Sequence, residues 1–435
     1  MSTIKPQTLK GFRDFLPDDM RIRTKVIETF KRIFEKYGYE PLETPTLEYA
    51  NILMGKYGEE AEKLIYNFED RGGRKVAMKY DLTVPTCRVM AQYGDKLPLP
   101  FKRYQIQPVW RADNTQKGRF REFYQCDADT FGTTSMIADA EFIQMGLEIL
   151  NELKFTNVVA RINNRKFIDG LTKYAGANND QFYAICVAVD KFEKIGADGV
   201  VAEMEKRNLS NEIINKIMSV VSLSGTSDEL VGKLKKMMAK IPEAMEGLKE
   251  LEELFSFLKA GEVPEDKYQF DLSIIRGLSY YTGPVWEFAV KDGGVGSVAG
   301  CGRYDKLVGM YLGRDIPATG GSFGIERIIE IVKDRSLLTQ SVSKQCLVSI
   351  FGPSEALESI RIASLLRKQN IQTVLYPDAN VKLDKQLKYA NKMGIELVII
   401  IGPEEIKNKT VKLKNMKTGE QETIKITNLP NSLIH

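Results

Sequence analysis

Residues 101–132 read FKRYQIQPVWRADNTQKGRFREFYQCDADTFG, two apolar and aromatic runs around a polar loop with Asn114, Thr115, Gln116, Lys117 and Gly118. The pattern predicts two strands joined by a hairpin loop. The first run carries Arg103, Arg111 and Asp113. The second carries Arg119, Arg121, Glu122, Gln125, Asp127 and Asp129, roughly alternating with Phe120, Phe123, Cys126 and Ala128. Period-two alternation predicts one polar face turned outward and one apolar face turned inward. Read plainly, this is a surface hairpin with solvated charges. Arginines and carboxylates among aromatics, on strands expected to be central, point instead to a ligand. A buried guanidinium needs a planar, bidentate anion, and phosphate is the commonest small one. An aromatic such as Phe123 beside it would stack on a nucleotide base.

Outward from the hairpin, the chain has 435 residues, enough for two or three domains with cores of their own. Hydrophobic content of 43% is ordinary for a soluble protein, and no apolar run approaches the ~20 residues a membrane span needs. The first residues, MSTIKPQTLKGFRDFLPDD, mix charge with proline and hold no apolar signal core, which predicts a cytoplasmic protein. Cys87, Cys126, Cys186, Cys301 and Cys346 are scattered with no CxxC pair, so neither a disulfide framework nor a zinc site is supported. The only histidine is His435, which excludes a histidine triad, a histidine general base and a histidine-rich metal site. Any catalysis falls to Arg, Asp, Glu, Tyr and Gln. The net charge is +4, and residues 345–435 hold 13 Lys and Arg against 9 Asp and Glu, so the whole excess lies in the last fifth of the chain. A basic excess of this size is more often a solvated surface than an RNA-binding one.

Asp18 and Asp19 precede apolar positions at helical spacing from Met20 to Tyr37, an amphipathic helix of about five turns that ends at Gly38. An extended segment punctuated by Pro41 and Pro45 follows. Residues 65–91 predict a hairpin turning at Gly72-Gly73, then Asp81-Leu82-Thr83, which cap a helix near Pro85 or face a cleft. Helix is expected over 136–152, and strand, turn and helix over 158–176. From about 180 to 262 helix follows helix, with Thr226 and Glu229 spaced as a capping box. Strands return at 268–290. GSVAGCGRYDKLV at 296–308 reads as a tight turn before a helix or as glycines that admit a ligand. GGSFGIERIIEIV at 320–332 runs a strand into a helix. After a polar linker near 334–344, strands alternate with helices, predicting a parallel α/β sheet that ends in a hairpin turning at Thr418-Gly419.

The hairpin resembles motif 2 of the class II aminoacyl-tRNA synthetases, in which Arg-x-Glu/Asp, a flexible loop and a Phe bind ATP. Here the matching residues are Arg111-Ala112-Asp113, the 114–118 loop and Phe123. Arg-Glu-Phe-Tyr-Gln-Cys-Asp at 121–127, Asp-Leu-Thr-Val-Pro at 81–85, Arg-Gly-Leu-x-Tyr-Tyr at 276–281 and the Gly-Arg-Tyr-Asp stretch at 302–305 are similar to the histidine-specific members. The first helix with the strand ending in Pro45 resembles motif 1, and Gly324, Glu326 and Arg327 resemble motif 3.

The resemblance implies an α+β fold: an antiparallel sheet core with helices at 1–180 and 263–333, a helical insertion at 181–262, and an α/β anticodon-binding domain at 345–435. It implies a homodimer that activates L-histidine with ATP and passes it to tRNA. Arg111 and Arg276 would be catalytic. Arg111, Asp113, Arg119, Phe123, Arg276 and Arg327 would bind ATP; Asp81, Thr83, Gln125, Asp129, Tyr280, Tyr281 and Tyr304 would bind histidine. Mg²⁺ would come with the ATP rather than in a protein cage. The family has Asp where this chain has Ser279, and Gly where it has Cys301, which would put a side chain beside the pocket. Two other readings share the core: a regulatory paralogue lacking the anticodon domain, and a synthetase for another amino acid of the subclass.

Overall fold

The computed structural model describes residues 5–54, 62–115, 119–275, 280–291, 296–338 and 346–434. Residues 1–338 and 339–435 form two compact units. The sheet of the first unit has strands β1 (Glu40–Pro41), β2 (Phe101–Trp110), β3 (Glu122–Phe131), β4 (Val158–Asn164), β5 (Tyr268–Phe270), β6 (Pro284–Val290), β7 (Ser297–Arg303) and β8 (Ala318–Phe323). Their order is β1-β2-β3-β8-β7-β6-β4-β5. β1 pairs parallel with β2, β5 parallel with β4, and the neighbours between are antiparallel.

β2 and β3 are the predicted hairpin, in register from Phe101↔Phe131 to Trp110↔Glu122. Period two sorts their side chains. Tyr104, Cys126 and Ala128 share one face with Phe323 of β8 and with Trp286 and Phe288 of β6, all in the main core. Arg103, Gln105, Gln107, Gln125, Asp127 and Asp129 share the other face, and they too are buried. The expectation that the polar face turns outward is therefore corrected: both faces are covered, and the polar one floors a cleft.

Helices cover the apolar face. Pro17–Lys36 begins with Pro at its first turn, carries Asp18 and Asp19 there, and buries Ile22, Val26, Phe30, Ile33 and Phe34. Phe30 meets Phe323 at 5.1 Å and Phe34 meets Tyr104 at 5.3 Å between ring centres. The helix Met136–Glu152 adds Phe142, stacked on Phe323 at 5.9 Å. The chain leaves the first helix through Gly38, at φ +77°, a conformation glycine adopts without strain. A small antiparallel sheet of Leu47–Tyr49, Asn67–Glu69 and Lys75–Met78 follows, its turn at Gly73 as expected.

The predicted helical segment holds Asn179–Val189, Phe192–Lys206, Asn211–Val221, Ser227–Met237 and Pro242–Ala260. Its capping box at Thr226 and Glu229 is formed. The last helix packs on Arg165–Ala175 so closely that a Cβ at Gly170 would meet the Ala244 Cα at 2.6 Å. Phe255 reaches Phe270 of β5 at 6.4 Å, so the core of this segment is continuous with that of the sheet.

In the second unit the strands Thr373–Leu375, Cys346–Val348 and Leu397–Ile400 are parallel neighbours, crossed by the helices Ala356–Lys368 and Leu383–Lys392. The antiparallel strands Thr410–Asn415 and Gln421–Lys425 complete the sheet, turning at Gly419 with φ +77°. This is the expected α/β pattern with its terminal hairpin.

Candidate active site

The cleft on the polar face holds about 340 Å³ and is lined by Arg111, Asp113, Arg119, Phe123, Gln125, Ser322, Gly324, Glu326 and Arg327, among others. Arg111 stands just beyond the end of β2. Its Nε donates to the Tyr80 carbonyl at 3.1 Å, and its guanidinium lies 4.2 Å from the Tyr80 ring centre and 5.0 Å from that of Phe123. Arg119 is exposed and rests on Asp113 at 3.3 Å. Arg327, in the first turn of the helix Ile325–Asp334 where β8 ends, is exposed and donates to the Ser297 carbonyl. Three guanidiniums and one aromatic ring thus converge from the hairpin and the strand-to-helix junction. They are accessible, contrary to the expectation of buried guanidiniums awaiting phosphate.

On the polar face of β2, Arg103 is wholly buried. Its partner is Asp129, directly opposite on β3, with Gln105 Oε1 accepting from Nη1 at 3.3 Å. Burial works against the charge on Arg103, but Asp129 and Asp127 more than offset it. Asp129 also accepts from the Tyr304 hydroxyl. Burial pushes the Asp129 carboxyl up, against the pull of Arg103 and Tyr304. Tyr281 is buried, Tyr280 is 41% exposed, and their ring centres lie 4.3 Å apart, with Tyr304 6.2 Å from Tyr280. Asp81 acts electrostatically on Asp129 and on Tyr280. Of the predicted histidine-binding residues, Asp129, Tyr280, Tyr281, Tyr304 and Asp81 therefore gather at this end, while Gln125 lines the cleft towards Phe123. Asp81 accepts the Val84 N–H at 3.0 Å, and the helix opens at Thr83, two residues before Pro85. Capping and facing the site are thus compatible for Asp81.

Two expectations change here, and a third concerns residues that are not described. Arg276 and Ser279 lie outside the described residues. Gly300 and Gly302 belong to β7 rather than to a turn, and a Cβ at Gly302 would meet the Tyr281 ring at 2.9 Å, so that glycine makes room for the tyrosine. Cys301 does not sit beside the pocket: alternation turns it to the apolar face, fully buried between Trp286 and Gly321 in register.

Sequence reasoning missed the scaffold beneath these groups. Glu326 accepts from Arg13 at 2.7 Å, from both Arg23 terminal nitrogens at 2.6 and 3.0 Å, and from the Tyr124 N–H at 3.2 Å. Burial raises its carboxyl, but Arg23 and Arg13 prevail and hold it below the usual range. Lys79 is fully buried and donates to the Thr44 carbonyl at 3.0 Å; burial pushes its ammonium down to about 8. Thr44 in turn takes Gln105 Nε2 on its hydroxyl at 2.8 Å and gives its N–H to Gln107 at 3.2 Å. The loop before Asp81, the segment before Pro45 and the polar face of β2 are thereby tied together. Arg303 donates to the Thr133 carbonyl at 2.8 Å and to Asp139, fixing the strand end that presents Tyr304.

Among the described residues no group of three or more His, Cys, Asp or Glu side chains could hold a metal ion. No helix among them is long and apolar enough to cross a membrane. A mainly antiparallel sheet whose central hairpin and last strand-to-helix junction point arginines into one cleft defines a class II aminoacyl-tRNA synthetase.

The family model of histidyl-tRNA synthetases matches residues 11–328, and that of an anticodon-binding domain matches 345–434. A histidine–tRNA ligase of Christiangramia forsetii is 37% identical over 99% of both chains, and one of Clostridium tetani 38% identical over 97% of both. The crystal structure of a histidyl-tRNA synthetase from Nostoc sp. superposes with a TM-score of 0.88 at 30% identity, covering 99% of each chain. The chain belongs to the histidyl-tRNA synthetase family.

Proposed function

We propose that the cleft along β3 activates L-histidine with ATP, giving histidyl-adenylate and pyrophosphate, and then passes histidine to the 3′ end of its tRNA. The observation that carries this reading is what gathers along one strand: Phe123 beside Arg111 in a cleft also lined by Arg119 and Arg327 at one end, Asp129 with Tyr304 at the other. The nucleophile is the histidine carboxylate, ionised at neutral pH, so no general base is needed in a chain whose single histidine is His435. The barrier lies in bringing two anions together and spreading charge over the attacked phosphorus. Fixed cations answer both.

Arg111 would lie along the α-phosphate, with Arg276 opposite it as the other catalytic cation. Arg119, swinging from Asp113, and Arg327 would take the outer phosphates, and Phe123 would stack on adenine. Asp113 would bind the nucleotide beside them. Magnesium would enter as part of the nucleotide substrate. Asp129, Tyr280, Tyr281 and Tyr304 would read the imidazole; Asp81, Thr83 and Gln125 would hold the ammonium. A pocket of such polar partners rejects apolar amino acids because its own groups would be left unpaired.

The division of labour follows the sequence: 1–180 and 263–333 as catalytic core, 181–262 as insertion, 345–435 as the basic unit that holds the anticodon. Exposed Leu47, Tyr49 and Phe68 on the small sheet beyond Pro45 support a homodimer through that region, and the protein would act in the cytoplasm. ATP–pyrophosphate exchange tested with each amino acid in turn decides the reading. Exchange with histidine alone is expected. Exchange with another amino acid, or with none, would replace it with one of the two other functions weighed from the sequence.

A further inference from the structure

On β3, Gln125, Asp127 and Asp129 follow one another at two-residue steps on the polar face, about 7 Å apart along the strand. Gln125 and Asp129 have roles in the reading above, and Asp127 between them has none. It is 1% exposed, it faces Gln105 on one side and Ser322 on the other, and its Oδ1 has no hydrogen-bond partner. Gln125 Oε1 is likewise buried without a partner.

The hydrogen-bond directions explain both orphans. Gln125 spends its Nε2 on Ser322 Oγ at 3.0 Å. The Ser322 hydroxyl, already accepting, turns its own proton to Asp127. That relay leaves two acceptors, one neutral and one anionic, beside a serine that lines the cleft. The charged groups acting on Asp127 are Arg103, Asp129 and Asp81. Arg103 is engaged with Asp129, so among the described charged groups acting on Asp127 carboxylates outnumber cations. Buried acceptors and surplus negative charge call for a cation with several N–H groups.

We propose that Asp127 is a substrate-binding residue, a second anionic group beside Asp81 in the seat for the α-ammonium of the amino acid, with Gln125 as its neutral neighbour and Ser322 setting both. The proposal rests on the reading of the cleft as the histidine-activating site and adds a residue to it. The position fits: an ammonium between Gln125 and Asp127 leaves the imidazole to lie towards Asp129 and Tyr304, one step further along the strand.

The test compares two ligands in the full-length protein. Histidinol keeps ammonium and ring but lacks the carboxylate; 3-(imidazol-4-yl)propionate keeps ring and carboxylate but lacks the ammonium. Both are measured as inhibitors of histidine-dependent exchange. Asp127→Asn should weaken histidinol and raise the KM for histidine by at least ~10-fold, as loss of a charge-assisted bond does, while the propionate and the KM for ATP stay within about twofold. A residue that merely shapes the pocket would shift both ligands together, and that result, or an unchanged histidinol constant, overturns the proposal. Should Asp127→Asn not fold, Ser322→Ala decides by the same pair, with a smaller loss confined to histidinol expected and an equal loss in both ligands overturning it. Wild-type protein without histidine-dependent exchange would sink the site reading itself. Wild-type exchange with undiscriminating variants sinks only the role of Asp127.

Discussion

The two ends of the cleft are built from the same residue types and differ in what those residues already have. At the end proposed for the nucleotide Arg119 and Arg327 are exposed and Arg111 is half-buried, and their partners are a carbonyl oxygen or a carboxylate at 3.3 Å. At the histidine end Arg103, Asp127, Asp129 and Tyr304 are at most 2% exposed and bound mostly to one another. The first end holds accessible charge that a triphosphate could gather. The second is held in place by its own contacts, as recognition of a small ring by matched donors and acceptors requires. Strength at one end comes from Coulomb attraction in a wet cleft, and at the other from groups that have nowhere else to turn.

The sharpest way to break this contrast is to remove one member at each end. Asp129→Ala leaves a wholly buried guanidinium without its carboxylate, and we expect a stability loss of ~3–5 kcal/mol by denaturant melt, together with a loss of histidine binding far larger than any change for ATP. Stability unchanged, or equal losses for both substrates, would show that the histidine end is not prebuilt. Arg111→Ala should reverse the pattern. Exchange should fall ~10²- to 10³-fold through loss of a phosphate-facing donor, while stability moves by less than ~1 kcal/mol because the side chain is already partly hydrated. A melt shifted as far as that of Asp129→Ala would erase the distinction between the ends.

That distinction was legible in the chain only in part. Arg111, Asp113, Arg119, Phe123 and Arg327 sit at a hairpin tip and a strand-to-helix junction, local features whose spacing is visible in sequence, and they do converge. Arg103 and Arg111 look alike on paper, eight residues apart, one within β2 and the other just past its end. Which of them is buried depends on the strands and loops packed beside each end of β2. The support of Asp81 runs through Lys79 and Thr44, 35 positions apart, and that of Tyr124 and the first helix through Glu326 and Arg23, 303 apart. No period or motif reports such pairs. Two misses had a signal: alternation alone places Cys301 opposite Gly300 and Gly302, and places Asp127 on the face of Gln125 and Asp129. The change to successive helices near 180 was visible, but not that these helices continue the core of the sheet through Phe255 and Phe270.

Asp127 offers the finest test, because it gives the prebuilt end a cost that can be titrated. Burial comes first among the causes that push its carboxyl up to about 7, with Asp129 and Asp81 adding to it and Arg103 and Ser322 opposing. In the unfolded chain the same group titrates at an ordinary carboxylate value near ~3.9. Between about pH 4 and 7 the folded protein therefore binds the extra proton, and stability falls as pH rises through that window, with the full penalty present above it. Each pH unit of the window is worth ~1.4 kcal/mol, an upper bound near ~4, and with neighbours free to relax we expect about half of it. Asp127→Asn, which cannot ionise, should then be about 2 kcal/mol more stable than the wild type at pH 8 and indistinguishable from it near pH 4. A substrate ammonium seated against Asp127 supplies the missing counter-charge, so saturating histidinol should close the gap at pH 8 by stabilising the wild type more than the variant. Melting temperatures of the two proteins at both pH values, with and without histidinol, measure every part of this. A gap independent of pH would mean that Asp127 carries no buried charge, and one that histidinol leaves open would mean that the ammonium sits elsewhere.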